Sequence, residues 1–183
     1  MRQSRWGFEV VDSTTIGHDL QPSLLLKPTV SNGSVWQGGG MAVIVEKAEK
    51  VTDEVVTAFE VLIPQLSSSN PAPSREALEE IVGSSSTDLF LARVDGRIVG
   101  SLTLAVFRIP TGLRAWIEDV VVDDSARGHG VGAALNIAAI DEARRRGAVT
   151  VDLTSRPSRE AANKLYKKLG FVERETNVYR YTL

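Results

Sequence analysis

The chain of 183 residues predicts a mixed α/β fold of the α+β kind, on three observations. Two apolar runs, 89–94 and 97–107, flank Asp95-Gly96, a two-residue turn suited to joining antiparallel strands. Four other segments carry helix signals, either apolar spacing or capping residues at their ends. A β-branched run, Val120-Val121-Val122, passes through a short acidic turn into a glycine-rich loop with a helix directly behind it. The length suits one well-buried domain.

Residues 1–40 hold scattered polar side chains and two prolines, and they show no sustained period, so loop or arm is expected. Ala42–Glu46 is the first clean strand, which divides the chain into an arm (1–40) and a domain (41–183). Two readings of the arm stand. In one, Met41 is the true initiator and the preceding segment is an upstream translation artefact. In the other, the arm packs on the domain or a neighbouring subunit through Trp6, Phe8 and Trp36. The intact mass of the native protein separates them.

Val55, Val56, Phe59, Leu62 and Ile63 have helical spacing, and Pro64 is expected to end or kink that helix. Ser74 is placed to cap a second helix, with Gly83 beyond its end. The hairpin follows, then a long strand over 114–122, the glycine loop, and a helix ending in Arg144-Arg145-Arg146-Gly147. Terminal cations and a glycine at C′ suit a helix stop. Val149–Thr154 reads as a strand, Ser158 as the cap of a helix closed by Gly170, and 171–174 with 178–182 as a last hairpin.

Composition narrows the function classes. A net charge of −2 offers no basic field for nucleic acid or an anionic membrane. With no cysteine, a disulfide framework, a thiolate zinc site and a cysteine nucleophile are all excluded. No apolar run approaches the roughly 20 residues of a membrane span, and no apolar h-region follows Arg2 and Arg5. A cytoplasmic protein without nucleic-acid or membrane partners is expected.

Strand, glycine loop and helix in that order make a pyrophosphate site. Glycines remove Cβ atoms, and the first helical N–H groups and the helix dipole face the anion. The spacing is neither the P-loop, which needs Gly-Lys-Ser/Thr, nor the dinucleotide fingerprint Gly-x-Gly-x-x-Gly. It is Arg127-Gly128-His129-Gly130-Val131-Gly132, an Arg-x-x-Gly-x-Gly pattern. Downstream stands Asn163-Lys164-Leu165-Tyr166-Lys167-Lys168-Leu169-Gly170-Phe171. Both motifs, in this order, resemble the GNAT superfamily of acyl-CoA-dependent N-acetyltransferases, and the resemblance covers roughly residues 42–183.

The resemblance implies a GNAT acyl-CoA N-acyltransferase fold, whose central mixed, mostly antiparallel sheet has about six or seven strands flanked by about four helices. It implies acetyl-CoA as co-substrate, with the loop from Arg127 through Gly128, His129, Gly130, Val131, Gly132 and Ala133 around the pyrophosphate. Arg127 either meets a phosphate or braces the loop, and His129 contributes its backbone N–H. The main chain of Val120, Val121 and Val122 would hold the acyl and pantetheine part where two strands splay, and Asn163 the pantetheine arm. Late strands often pair such domains, so Val178–Tyr181 points to a homodimer.

Acetyl transfer to an amine poses two proton problems. Alkyl amines titrate near ~10 and must lose a proton before attacking; the departing thiolate must gain one. The thioester is already activated, so neither a metal nor a covalent nucleophile is required. Glu118 is the expected base, similar to the glutamate of polyamine and glucosamine-phosphate acetyltransferases; the bland reading is an ion pair with Arg114 or Arg108. Asp119 is the fallback. Uninterrupted alternation would put Trp116, Glu118, Val120 and Val122 on one face. Tyr166 is the expected acid. The acceptor is a primary amine on a small molecule or peptide, facing a pocket built from Gln65–Ser74 and Glu173–Tyr179. The alternative is a non-catalytic acyl-CoA-binding regulatory module, against which the joint presence of Glu118 and Tyr166 speaks.

Overall fold

Asp95 and Gly96 both take positive φ, 48° and 81°, which matches the right-handed twist of the strands they join. Around this hairpin the chain lays out β1 (Thr29–Val30), β2 (Gly33–Gly38), β3 (Met41–Lys47), α1 (Asp53–Leu66), α2 (Arg75–Gly83), β4 (Thr87–Val94), β5 (Arg97–Ile109), β6 (Gly112–Val122), α3 (Val131–Arg145), β7 (Thr150–Leu153) and α4 (Glu160–Lys168). The structure, a computed structural model, describes residues 29–30, 33–38, 41–67 and 69–183. The seven strands form one sheet in sequence order. Every neighbouring pair is antiparallel except β6 and β7, which run parallel. This is the mixed, mostly antiparallel sheet with four helices that the family resemblance implies. None of the described helices is long and apolar enough to cross a membrane.

Strand alternation divides the apolar residues between two faces. Phe90, Leu102, Leu104, Ala115 and Ile117 pack beneath Val131, Ala134, Leu135 and Ala139 of α3. Leu89 and Leu91 point the other way, against Val55 and Phe59 of α1 and Leu78 of α2. Leu102, Leu104 and Leu135 are fully buried, each contributing roughly 1.5–3 kcal/mol by leaving water. Thr52 caps α1 through Val55 N, and Ser74 caps α2 through Ala77 N as expected. α3 ends at Arg145, and Gly147, two residues on, takes a φ of 81° that only glycine adopts without strain.

Four expectations are corrected. Residues 33–38, read as loop, form β2, paired with β3 along its whole length. Trp36 packs against the core on the α3 side, while Trp6 and Phe8 lie outside the described residues. Of the two readings of Pro64, end or kink, the first is overturned: α1 runs on to Leu66, and Ser67 N still reaches Ile63 O at 2.9 Å. Ser158 is not the cap of α4; Arg159 is, with no side-chain capping bond. The last hairpin does not form, and 171–183 carries no strand.

Candidate functional site

β6 and β7 pair from Arg114↔Thr150 to Ile117↔Leu153 and then part. From Glu118 to Val122, β6 keeps a neighbour only on its β5 side. Backbone donors and acceptors along that open side need a partner from solvent or ligand. They lie at the carboxyl ends of two parallel strands, where open sheets collect their ligands.

A bulge sits inside the same stretch. Thr103 pairs with Glu118 but Ser101 with Val121, so Leu102 faces both Asp119 and Val120. Asp119 absorbs the extra residue at a φ of 50°. The bulge breaks the uninterrupted alternation expected from sequence. Val120 and Val122 pack on the α3-side core instead of sharing a face with Glu118, and Val121 is buried on the opposite face. Glu118 and Asp119 are both exposed. Among the described residues Glu118 has no ion pair with Arg114 or Arg108, and Arg114 donates instead to Thr111 Oγ1 at 3.3 Å.

The loop after β6 is held by its own side chains. Asp123 accepts from the backbone N–H and hydroxyl of Ser125 and from Gln65 Nε2 at 3.0 Å. The Ser125 hydroxyl, then the Gln65 amide, hold the Asp123 carboxyl below its usual range. Arg127 braces the loop, pairing with Asp124 at 2.6 Å and donating to Val122 O at 3.4 Å. Gly128 and Gly130 turn through φ of 80° and 82°, and Gly130 opens α3 with no side-chain cap and no acidic residue in the first turn. The N–H groups of Val131, Gly132 and Ala133 are thus left without side-chain acceptors. His129 Nδ1 and Ser155 Oγ are buried without partners, one in each loop that follows a parallel strand. Uncapped donors, left-handed glycines and orphaned polar atoms fit a pyrophosphate and its amide-bearing arm.

Gly132 brings α4 into the site. A Cβ there would lie 3.3 Å from Leu165 Cδ2 and 3.8 Å from Val122 Cγ2, so β6, α3 and α4 meet at this glycine. Asn136, fully buried one turn later, donates to Gly132 O at 2.8 Å. Tyr166, beside Leu165, is half-buried, with its ring edge-on to Phe171 at 5.8 Å and 72°. Burial pushes its hydroxyl above the ordinary tyrosine range, partly offset by the Arg159 cation. Asn163 spends its Nδ2 on the carbonyls of Arg156 (3.0 Å) and Pro157 (3.5 Å), which leaves Oδ1 as its free group.

Two residues have roles that the sequence reading did not give them, although Gln65 stood at the edge of the expected acceptor pocket. Gln65 reaches from α1 to the loop, accepting from Asp124 N at 2.9 Å as well as donating to Asp123. Arg159 donates to Leu66 O at 3.2 Å, tying the start of α4 to the end of α1. The only advance signal was Gln65 standing at the end of an amphipathic helix just before a breaker-rich loop. Among the described residues no group of three or more His, Asp or Glu side chains gathers to hold a metal ion.

Residues 55–171 match the family described as the acetyltransferase (GNAT) family. The chain belongs to that family. It is similar to glucosamine 6-phosphate N-acetyltransferase of Trypanosoma brucei brucei, 42% identical over 46% of this chain and 58% of the relative. Glucosamine 6-phosphate N-acetyltransferase 1 of Oryza sativa subsp. japonica is 31% identical over 70% of this chain and 81% of the relative. The crystal structure of a Trypanosoma brucei acetyltransferase superposes with a TM-score of 0.63 and 28% identity, covering 77% of this chain and 99% of that one.

Proposed function

We propose that the protein transfers the acetyl group of acetyl-CoA to a primary amine by direct attack in a ternary complex. The observation that carries this is the stretch Glu118–Val122 of β6, open on its β7 side, leading through the glycine loop into an uncapped α3. When bound, acetyl-CoA supplies an activated thioester. Val131, Gly132 and Ala133 hold its pyrophosphate through backbone N–H groups, and Val120–Val122 orient the acyl arm by pairing with its amides. Glu118 takes the proton from the acceptor ammonium. Tyr166, kept protonated by burial, returns one to the departing sulfur. Two relatives are named for glucosamine 6-phosphate, so a phosphorylated amino sugar heads the acceptor panel, ahead of polyamines, amino acids and peptides. The test is thiol release from acetyl-CoA with that panel. Tight acetyl-CoA binding with no turnover on any amine would shift the reading to a regulatory acyl-CoA-binding module.

Tyr166→Phe is expected to lower kcat roughly 10²-fold with acetyl-CoA affinity unchanged. The raised hydroxyl stays protonated past the ordinary tyrosine range, so the native rate holds through mildly alkaline pH and falls only above that range. The same shift links to folding: its stabilisation is complete below the ordinary tyrosine value and is lost as pH climbs through the raised one. A pH–kcat profile checks this, and an alkaline limb retained in the Phe variant would remove Tyr166 as its source.

Gln65→Ala removes the tether between α1 and the loop. At about 1 kcal/mol for such bonds, acetyl-CoA should bind up to about five-fold more weakly by calorimetry, with Tm lowered by about 2–4 °C. Unchanged affinity would show that the loop glycines and Arg127 suffice.

A further inference from the structure

The last turn of α1 is fastened on both sides of the gap between β6 and β7. Gln65 bonds to Asp123 and Asp124, in the loop that follows β6. Its neighbour Leu66 accepts through its carbonyl from Nη2 of Arg159, which follows β7, at 3.2 Å. Arg159 breaks a local rule. It is the N-cap of α4 without a side-chain capping bond, and a helix N-terminus favours an anion over a cation. Its backbone is pinned separately, its N–H donating to Arg156 O and its carbonyl accepting from Asn163 N, both at 3.0 Å. The guanidinium is therefore not needed to start the helix. Among the described residues it enters no ion pair, and its one hydrogen bond is the one to Leu66. Local rules broken without a local gain belong to functional sites.

Arg159, Asn163 and Tyr166 stand at i, i+4 and i+7, the spacing of one helix face. Helical side chains lean back toward the N-terminus, which carries the Tyr166 hydroxyl toward Arg159. Of the elements packed around Tyr166, α3 presents Gly132 beside Leu165 and the segment after α4 presents Phe171, neither of them charged. The charge that acts on the hydroxyl is the Arg159 guanidinium, and it opposes the effect of burial. We propose that Arg159, held in place by the end of α1, is a positioning residue for the acid: its guanidinium faces the Tyr166 hydroxyl and balances the phenolate formed during transfer. In that step the C–S bond breaks with its electron pair going to sulfur, and sulfur takes the Tyr166 proton. The phenolate left behind is held by the guanidinium until solvent returns a proton. This rests on the reading of Tyr166 as the acid.

Tyrosinate absorbance, followed through an alkaline titration, reads the contact without turnover. The chain has three tyrosines; Tyr179 and Tyr181 are exposed, and subtracting the curve of Tyr166→Phe leaves Tyr166 alone. In Arg159→Met the Tyr166 midpoint should move up, because burial then acts unopposed. In Arg159→Lys it should return toward the native value. With an amine acceptor, kcat of Arg159→Met should fall roughly two- to five-fold, the worth of one partly exposed charge. The alkaline limb of its rate should move up with the midpoint, and acetyl-CoA affinity should hold. A midpoint unmoved in Arg159→Met overturns the proposal, whatever the rate does. A midpoint that moves while kcat and the alkaline limb stay fixed keeps Arg159 against Tyr166 and overturns Tyr166 as the acid. A native protein that turns over no amine sinks the acetyl-transfer reading and leaves the titration to decide Arg159.

Discussion

Glu118→Gln is expected to lower kcat by roughly 10²–10⁴-fold and to leave acetyl-CoA binding within two-fold. The amide keeps the size and shape of the carboxylate but cannot accept the acceptor's proton. The position is exposed and, among the described residues, forms no ion pair, so the fold has little to lose. Raising the pH should recover part of the rate, because the fraction of amine already deprotonated grows toward its own pKa near ~10. Asp119→Asn is the paired control. Asp119 carries the bulge at positive φ, and asparagine tolerates that region, so the strand geometry survives. If Asp119→Asn takes the rate loss and Glu118→Gln does not, the base is Asp119. If neither changes kcat, proton removal does not limit turnover at this site.

The legible parts of the fold were those written in local chemistry. Asp95-Gly96 specifies its turn from two residues, Ser74 its helix start from one hydroxyl, and Gly128 and Gly130 their left-handed turns from missing Cβ atoms. The bulge at Asp119 was hidden because aspartate is an ordinary strand interruption in sequence, and its cost is absorbed by a partner strand that the sequence does not show. Once it forms, every residue after it changes face, which is why Val120 and Val122 turned out to line the core. β2 was hidden for a related reason: glycines bound it on both sides, and only its pairing with β3 makes it a strand. The Val178–Tyr181 alternation was read as a strand, but alternation alone does not make one: a strand needs a partner, and residues 171–183 pair with none. Gln65 acts across 58 residues of sequence, so no window of local pattern contains both ends of its bond.

Gly100→Ala joins fold and site in one methyl group. Gly100 lies opposite Val122, where β5 and β6 pass under the first turns of α3. An added Cβ would meet Val121 O at 3.0 Å, Val131 Cγ1 at 3.1 Å and Leu135 Cδ1 at 3.2 Å. Leu135 could shift a rotamer, but the carbonyl belongs to β6 where it pairs with β5, and it moves only if that strand moves. Overpacking of this kind costs about 1–3 kcal/mol, which for a chain of this length lowers Tm by roughly 3–10 °C. Because the displaced elements are the start of α3 and the end of β6, acetyl-CoA affinity should fall together with Tm. Gly83→Ala provides the opposite sign. Its Cβ would meet nothing within 4 Å, at the last residue of α2, so alanine there should stabilise by about 0.5–1 kcal/mol through the unfolded chain. Two identical substitutions with opposite effects on Tm, only one of which weakens acetyl-CoA, would locate the requirement in the close approach of three elements rather than in glycine's flexibility. Equal effects at both positions would mean that α3 does not sit this near β6, and the pyrophosphate cradle would have to be rebuilt around a different helix position.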